Sequence, residues 1–117
     1  MFAGMVDTVP VKMNIEVGAG LRSVIQAEAK ASHRRDSPQI GFYVSKALEH
    51  VESGGSLAKN PSDTLDDNGG KMTPYFPETT WSKIESRSDD LGVGRSAYVR
   101  ALIYTGIALC RTGNAKS

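Results

Sequence analysis

Two short stretches of the chain, residues 11–17 (VKMNIEV) and 71–76 (KMTPYF), place polar side chains at every second position. Successive side chains of a β-strand point to opposite faces, so residues two apart share a face. Each stretch therefore predicts a half-buried strand with apolar residues inward and hydrogen-bonding residues outward. The outward residues of the two predicted strands are Lys12, Asn14, Glu16, Lys71, Thr73 and Tyr75.

These outward side chains have the donors and acceptors that read base edges in DNA. A two-stranded ribbon fits the major groove, where a lysine can donate to guanine O6 and N7 and Asn14 can form two hydrogen bonds with adenine. Glu16 can accept from cytosine N4, Thr73 can contact a thymine methyl group, and Tyr75 can hydrogen-bond a base or a phosphate. The alternative is a solvated sheet face, because polar alternation is common in exposed sheets and Glu16 repels phosphate.

Basic and hydroxyl residues also stand at the starts of two predicted helices, where free N–H groups and the helix dipole attract anions. Ser37 is the predicted N-cap of one of these helices, with Pro38 at its first position. A pair of arginines in a loop is equally typical of a solvated surface. The residues of the two predicted phosphate sites are His33, Arg34, Arg35 and Ser37 at one helix and Gly94, Arg95 and Ser96 at the other.

Motifs for other chemistry lack the context they need. Residues 92–97 (GVGRSA) match a loose dinucleotide-binding pattern, but a predicted helix precedes them where that motif requires a strand. Residues 63–70 (DTLDDNGG) lack the alternating acids of a calcium loop. The single Cys110 lies on an apolar helix face, which is typical of an inert core thiol. We therefore expect no catalytic residues, no metal site and no cofactor, and predict that the chain is not an enzyme.

After each predicted strand come two stretches in which apolar residues recur at helical spacing. Each half of the chain is therefore predicted to contain one strand followed by two helices. Aligning Tyr43-Val44 with Tyr98-Val99 makes the second helix of one half a copy of the second helix of the other. The last helix is expected to keep Arg100 outside its buried stripe. Further expectations are a first helix over residues 19–32, a second strand that Pro74 confines to a position with one free edge, a buried Leu91 and an exposed Thr105.

The 117 residues suffice for a single domain, which we divide into a first unit (11–51), a linker (52–70) and a second unit (71–111). The linker is rich in Gly, Ser, Asp and Asn, and at ~3.3 Å per residue it can span about 60 Å. Neither unit can pair its strand or cover its helices alone, so the two must dock. The prediction is a mostly α fold with a two-stranded antiparallel ribbon (α+β), formed as an intrachain pseudo-dimer and therefore a monomer with an internal pseudo-two-fold.

Four segments resemble the ribbon-helix-helix superfamily: KMNIEV and KMTPYF as ribbon strands, and SPQIGFYVSKAL and VGRSAYVRALI as second helices. Members of that superfamily normally form homodimers from one unit per chain, whereas this chain has two unequal units. Tandem chains of this kind are similar to accessory proteins of DNA-transfer nicking complexes. The resemblance implies binding to double-stranded DNA and assistance to a relaxase at a T-DNA border or conjugative origin, in the bacterial cytoplasm.

Two other functions remain open at this point. One is a transcriptional repressor or antitoxin of the same fold, and the other is a protein-interaction scaffold that has lost DNA binding. The formal net charge of +1 does not decide among them, because dedicated nucleic-acid binders are often more basic. The sequence shows no apolar run long enough for a bilayer and no signal-peptide pattern near its start, so no membrane association is expected.

Overall fold

Strand and helix segments follow the same order twice along the chain. The computed structural model describes residues 10–61, 64 and 70–116. Among these residues the fold is mostly helical with a small antiparallel ribbon, in agreement with the predicted α+β class. In chain order the elements are β1 (Val11–Lys12), β2 (Ile15–Glu16), α1 (Ala19–Ala31), α2 (Asp36–Glu52), β3 (Lys71–Met72), β4 (Tyr75–Phe76), α3 (Glu78–Leu91) and α4 (Arg95–Lys116).

The four short strands form two antiparallel pairs within the chain, which share one register and together make a single ribbon with a break at its centre. β1 pairs antiparallel with β4, and β2 pairs antiparallel with β3, so that Val11 lies opposite Phe76 and Glu16 lies opposite Lys71. Between these two pairs, the Met13 N–H donates to the Pro74 carbonyl at 3.0 Å. This bond has the same register as the strands on either side of it. The predicted pairing of the two alternating stretches is therefore confirmed.

Pro74 explains why the ribbon is interrupted at its centre. In an antiparallel ladder a hydrogen-bonded residue directs both its N–H and its C=O towards the partner strand. Pro74 accepts from Met13, so its nitrogen also lies on the paired side, where it has no hydrogen to donate. The ladder loses one bond at this position. Among the described residues the strand that contains Pro74 has a single partner strand and so one free edge, as predicted, but the proline nitrogen lies on the paired side and not at that edge.

The helices of the two units begin at one constant displacement. Glu78 begins α3 at 59 positions after Ala19 begins α1 (78 − 19), and Arg95 begins α4 at 59 positions after Asp36 begins α2 (95 − 36). The predicted alignment of Tyr43 with Tyr98 is therefore wrong by one helical turn, because a shift of four residues preserves an apolar stripe. The equivalent buried residues are Gln39, Ile40, Tyr43, Val44, Ala47 and Leu48 in α2 and Tyr98, Val99, Leu102, Ile103, Gly106 and Ile107 in α4.

The core lies between the inner face of the ribbon and the helices. Ile15 and Phe76 from the ribbon are fully buried, and the Phe76 ring stacks on Trp81 of α3 at 6.4 Å between centroids. α2 and α4 cross where Gly106 approaches the Tyr43 backbone, and a Cβ placed on Gly106 would lie 2.7 Å from Tyr43 Cα. Only glycine fits that crossing without a shift of one helix.

The start of α2 differs from its prediction. The helix begins at Asp36, and Arg35 occupies the N-cap position without a side-chain capping bond. Ser37 lies inside the first turn, and its hydroxyl donates to the Thr73 carbonyl at 3.3 Å. Ser37 as N-cap and Pro38 as first helical residue are therefore wrong, because the ribbon offers the serine a carbonyl acceptor that local sequence does not reveal.

Three burial predictions are also wrong. Arg100 and Thr105 were expected outside the stripe of α4, but they are 8% and 2% exposed. Part of the predicted linker covers them: the Ala58 N–H donates to the Thr105 hydroxyl at 2.8 Å, and Thr64 is buried beside Arg100. Leu91 was expected to be buried but is 56% exposed, because it is the last residue of α3 before the left-handed Gly92. None of the helices that the structure describes is long and apolar enough to cross a membrane.

Candidate nucleic-acid interface

The six residues predicted to read bases lie together on the outer face of the ribbon. All are exposed except Thr73, which is half-buried. The register places Lys12 opposite Tyr75 and Glu16 opposite Lys71. These are non-hydrogen-bonded pairs, in which facing side chains approach most closely. The ribbon thus presents three adjacent cross-strand pairs to solvent.

A hydrogen bond joins the central pair of this face. The Thr73 hydroxyl donates to Asn14 Oδ1 at 3.0 Å, which fixes the carboxamide across the ribbon. The Asn14 amide group keeps both of its N–H donors, and Oδ1 keeps a second lone pair. The contact therefore leaves Asn14 able to donate and to accept, which recognition of adenine requires.

Charge is distributed unevenly along the ribbon. Glu16 and Lys71 face each other at one end, so their charges offset one another. The other end pairs Lys12 with the half-exposed phenol of Tyr75. The Lys12 end therefore carries a net positive charge that attracts phosphate. The Glu16 end offers a hydrogen-bond acceptor, the Glu16 carboxylate, beside a hydrogen-bond donor, the Lys71 amine.

Gly94, Arg95 and Ser96, the second predicted phosphate site, lie at the start of α4. The Tyr98 N–H makes an early intrahelical bond to the Gly94 carbonyl at 3.0 Å. The N–H groups of residues 95–97 precede that bond and have no acceptor within the helix. Such groups at a helix N-terminus attract anions.

Arg95 itself is engaged by the preceding helix. Its Nε lies 3.6 Å from Glu85 Oε2, and its Nη2 lies 3.6 Å from Asp89 Oδ1. Both separations exceed a hydrogen-bond length, and Nε has no hydrogen-bond acceptor among the described residues. The side chain is 41% exposed, so a phosphate would compete with two carboxylates for this guanidinium.

The predicted site at the start of α2 is less well assembled. Arg34 donates from Nη1 to Gln39 Oε1 at 3.0 Å, and its guanidinium carbon lies 4.5 Å from the centre of the Phe42 ring. Ser37 is directed to the Thr73 carbonyl. Arg35 and His33 are exposed, and His33 adopts a left-handed backbone with φ of 58°. Phosphate binding by these residues stays a prediction.

Arg34 also borders a groove of about 710 Å³ between α1, α2 and the end of α4. Tyr43 and Cys110 line it, and burial raises the pKa of both the phenol and the thiol. The thiol therefore stays protonated near neutral pH. No group of three or more potential metal ligands occurs among the residues that the structure describes.

Arg100 is the residue near the ribbon that the sequence did not indicate. Its Nη1 donates to the Glu16 carbonyl at 3.0 Å, and its Nε donates to the Thr64 hydroxyl at 3.0 Å. Burial lowers the pKa of the guanidinium, and the nearby Glu16 carboxylate partly offsets that effect. With the correct 59-residue displacement, Arg100 aligns with Gly41, and this difference between the units is the signal that could have drawn attention to it.

The chain matches no protein-family model, and no curated protein or solved structure shows significant similarity to it.

Proposed function

We propose that this protein is a tandem ribbon-helix-helix protein that binds double-stranded DNA selectively and assists a relaxase in DNA transfer. The observation that supports it most is the outward face of the intrachain ribbon, where six hydrogen-bonding side chains occupy three adjacent cross-strand pairs. A ribbon of this width enters the major groove.

The pseudo-dimer is supported by contacts that cross between the units. Ser37 of the first unit donates to the Thr73 carbonyl of the second, and Arg100 of the second unit donates to the Glu16 carbonyl of the first. The second helix of each unit is thus hydrogen-bonded to the ribbon strand of the other unit. The displacement of 59 residues between the starts of equivalent helices supports two copies of one structural unit.

The role in DNA transfer rests on resemblance. Two unequal units in one chain are similar to accessory proteins of nicking complexes, and the sequence resembles the smaller VirC protein of T-DNA processing on tumour-inducing plasmids. A ribbon in the groove can bend or untwist adjacent base pairs, which lowers the cost of presenting a single strand to a nicking enzyme. The protein itself is proposed to cut nothing.

The first test is binding to a labelled border or transfer-origin duplex and to random duplex across a salt series. Selected sites should lack two-fold symmetry, because the strands present different side chains. Asn14→Ala and Lys71→Ala should each lose about 1–3 kcal/mol of discrimination at one position. Lys30→Ala, an exposed change on α1, is the matched control. A perfect palindrome, or full discrimination in both variants, would contradict this role for the ribbon.

The second test is a nicking assay with supercoiled plasmid and a purified relaxase, with and without this protein. We expect a faster rate or a sharper choice of site at saturating protein. An unchanged reaction together with repression of a reporter promoter would favour the repressor or antitoxin function. Absence of any DNA binding would favour the interaction scaffold.

A further inference from the structure

The two ends of the ribbon are held by different side chains. At the Glu16–Lys71 end, the Glu16 carbonyl accepts from Arg100 at 3.0 Å and the Lys71 carbonyl accepts a longer contact from Arg22 Nη1 at 3.4 Å. Residues of non-hydrogen-bonded pairs direct these carbonyls to the outer edges of the ribbon. Both edges of this end are therefore bonded to arginines from the helices below.

The equivalent positions at the Lys12–Tyr75 end cannot make these contacts. Gly41 stands where α4 has Arg100, and it has no side chain. Trp81 stands where α1 has Arg22, and its ring stacks on Phe76 beneath the ribbon. Among the described residues no arginine is bonded to the ribbon edge at this end, so the fold does not require an arginine at both ends.

Arg100 is also connected to the segment between the units. Its Nε donates to Thr64, and the Thr64 hydroxyl in turn donates to the Pro61 carbonyl at 2.8 Å. Arg100 is 8% exposed and Thr64 is fully buried. Hydrogen bonds to a charged group are stronger than bonds between neutral groups. The planar guanidinium of Arg100 is rigid, so it holds the Glu16 carbonyl and the Thr64 hydroxyl in fixed positions relative to each other.

We propose that Arg100 is a positioning residue that fixes the Glu16–Lys71 end of the ribbon, so that sequence selectivity is concentrated in the base pairs that this end contacts. The Lys12–Tyr75 end then supplies attraction to DNA with less discrimination. This inference rests on the proposed DNA binding, and the experiment below separates failure of the one from failure of the other.

The test compares Arg100→Met, which preserves the apolar stem and removes both hydrogen bonds, with Ile84→Val, a conservative core change in α3 that removes no hydrogen bond to the ribbon. Affinity is measured for the selected duplex and for every single base-pair replacement in it. Arg100→Met should lower discrimination roughly fivefold or more under the Glu16–Lys71 end and leave the other end and the salt slope unchanged. Ile84→Val should leave both ends unchanged.

A readout without DNA uses amide hydrogen exchange in the same variants. The Val17 N–H donates to the Gly70 carbonyl at the held end, and the Met13 N–H donates to the Pro74 carbonyl at the centre. Arg100→Met should speed exchange at Val17 about tenfold more than at Met13, whereas global destabilisation would speed both alike.

The outcomes distinguish the two proposals. If no duplex binds the unaltered protein, the proposed function and the selectivity inference both fail, while the exchange data still decide whether Arg100 holds the ribbon. If DNA binds selectively but Arg100→Met loses discrimination evenly along the site, or exchange rises uniformly, the positioning role is overturned and DNA binding stands.

Discussion

The first unit and the second unit share their element order and their spacing but differ in what supports the ribbon. The second helix of the first unit has Gly41 and a serine bond to Thr73, whereas the second helix of the second unit has Arg100 and its two hydrogen bonds. The same positions are buried in α2 and α4 even where the residues differ: Gln39 aligns with Tyr98, and Tyr43 aligns with Leu102.

This comparison shows that the fold depends on burial at repeated positions and tolerates different chemistry at the ribbon edges. A homodimer of identical chains must present the same residues twice, so its binding face has two-fold symmetry. A chain with two units is free of that constraint. The two strands of its ribbon can therefore differ, as recognition of a DNA site without two-fold symmetry would require.

The largest effect is expected when the two units are separated. Cleavage at a protease site inserted within residues 65–69 should leave the units associated, because the ribbon pairs strands from both. The halves made as separate chains should each be unfolded, since neither strand retains its partner and each core lacks half its residues. Circular dichroism should show helix returning when they are mixed. A half that is folded and monomeric alone would contradict the docked arrangement.

The next effect is expected where α2 and α4 cross. Gly106→Ala places a methyl group against the Tyr43 backbone, so the helices must move apart, and we expect a loss of about 1–3 kcal/mol in unfolding free energy. Gly41→Ala is the matched control, because a Cβ there meets no atom within 4 Å. That change should be neutral or stabilise by about 0.5–1 kcal/mol. Equal effects in urea unfolding would show that the crossing is not tight.

A smaller effect should appear at alkaline pH. Burial raises the pKa of Tyr43 and Tyr98 above the ordinary 10.0, so the folded chain holds these protons more tightly than the unfolded chain. Their contribution to stability is complete below the unfolded value and is lost as pH rises above about 10 towards the folded values. Urea unfolding between pH 7 and pH 11 measures this loss.

Tyr43→Phe should reduce the alkaline loss at almost no cost near neutral pH. The Tyr43 hydroxyl is buried and makes no hydrogen bond of good geometry among the described residues, although the neighbouring Gln39 side chain opposes part of the rise in its pKa. When the hydroxyl is removed, Gln39 Oε1 keeps its hydrogen bond from Arg34, so the loss at neutral pH should be small. An unchanged alkaline slope in this variant would show that ionisation of Tyr43 does not oppose folding.

The sequence predicted the ribbon, the four helices and the outward face because alternation and helical spacing are strong local signals. It did not predict the burial of Arg100 and Thr105, since periodicity shows which residues share a face and not which third segment covers them. Ala58 and Thr64 both bond to side chains of α4, although the composition of the stretch they belong to is typical of a linker. The role of Ser37 was missed for a similar reason, because its acceptor lies 36 residues away.

The smallest effect concerns Arg95. Exposed ion pairs contribute about 0–1 kcal/mol, so Arg95→Ala should hardly change unfolding, whereas loss of one phosphate contact should flatten the salt dependence of DNA binding by about 0.9 in slope. Specific and random duplex should weaken alike. Asp89→Asn is the informative partner variant: it removes a carboxylate at 3.6 Å from the guanidinium and should therefore strengthen binding to both duplexes. Loss of specificity with an unchanged salt slope in Arg95→Ala would instead place this residue on a base, and the second unit would then read sequence from its helix as well as from its strand.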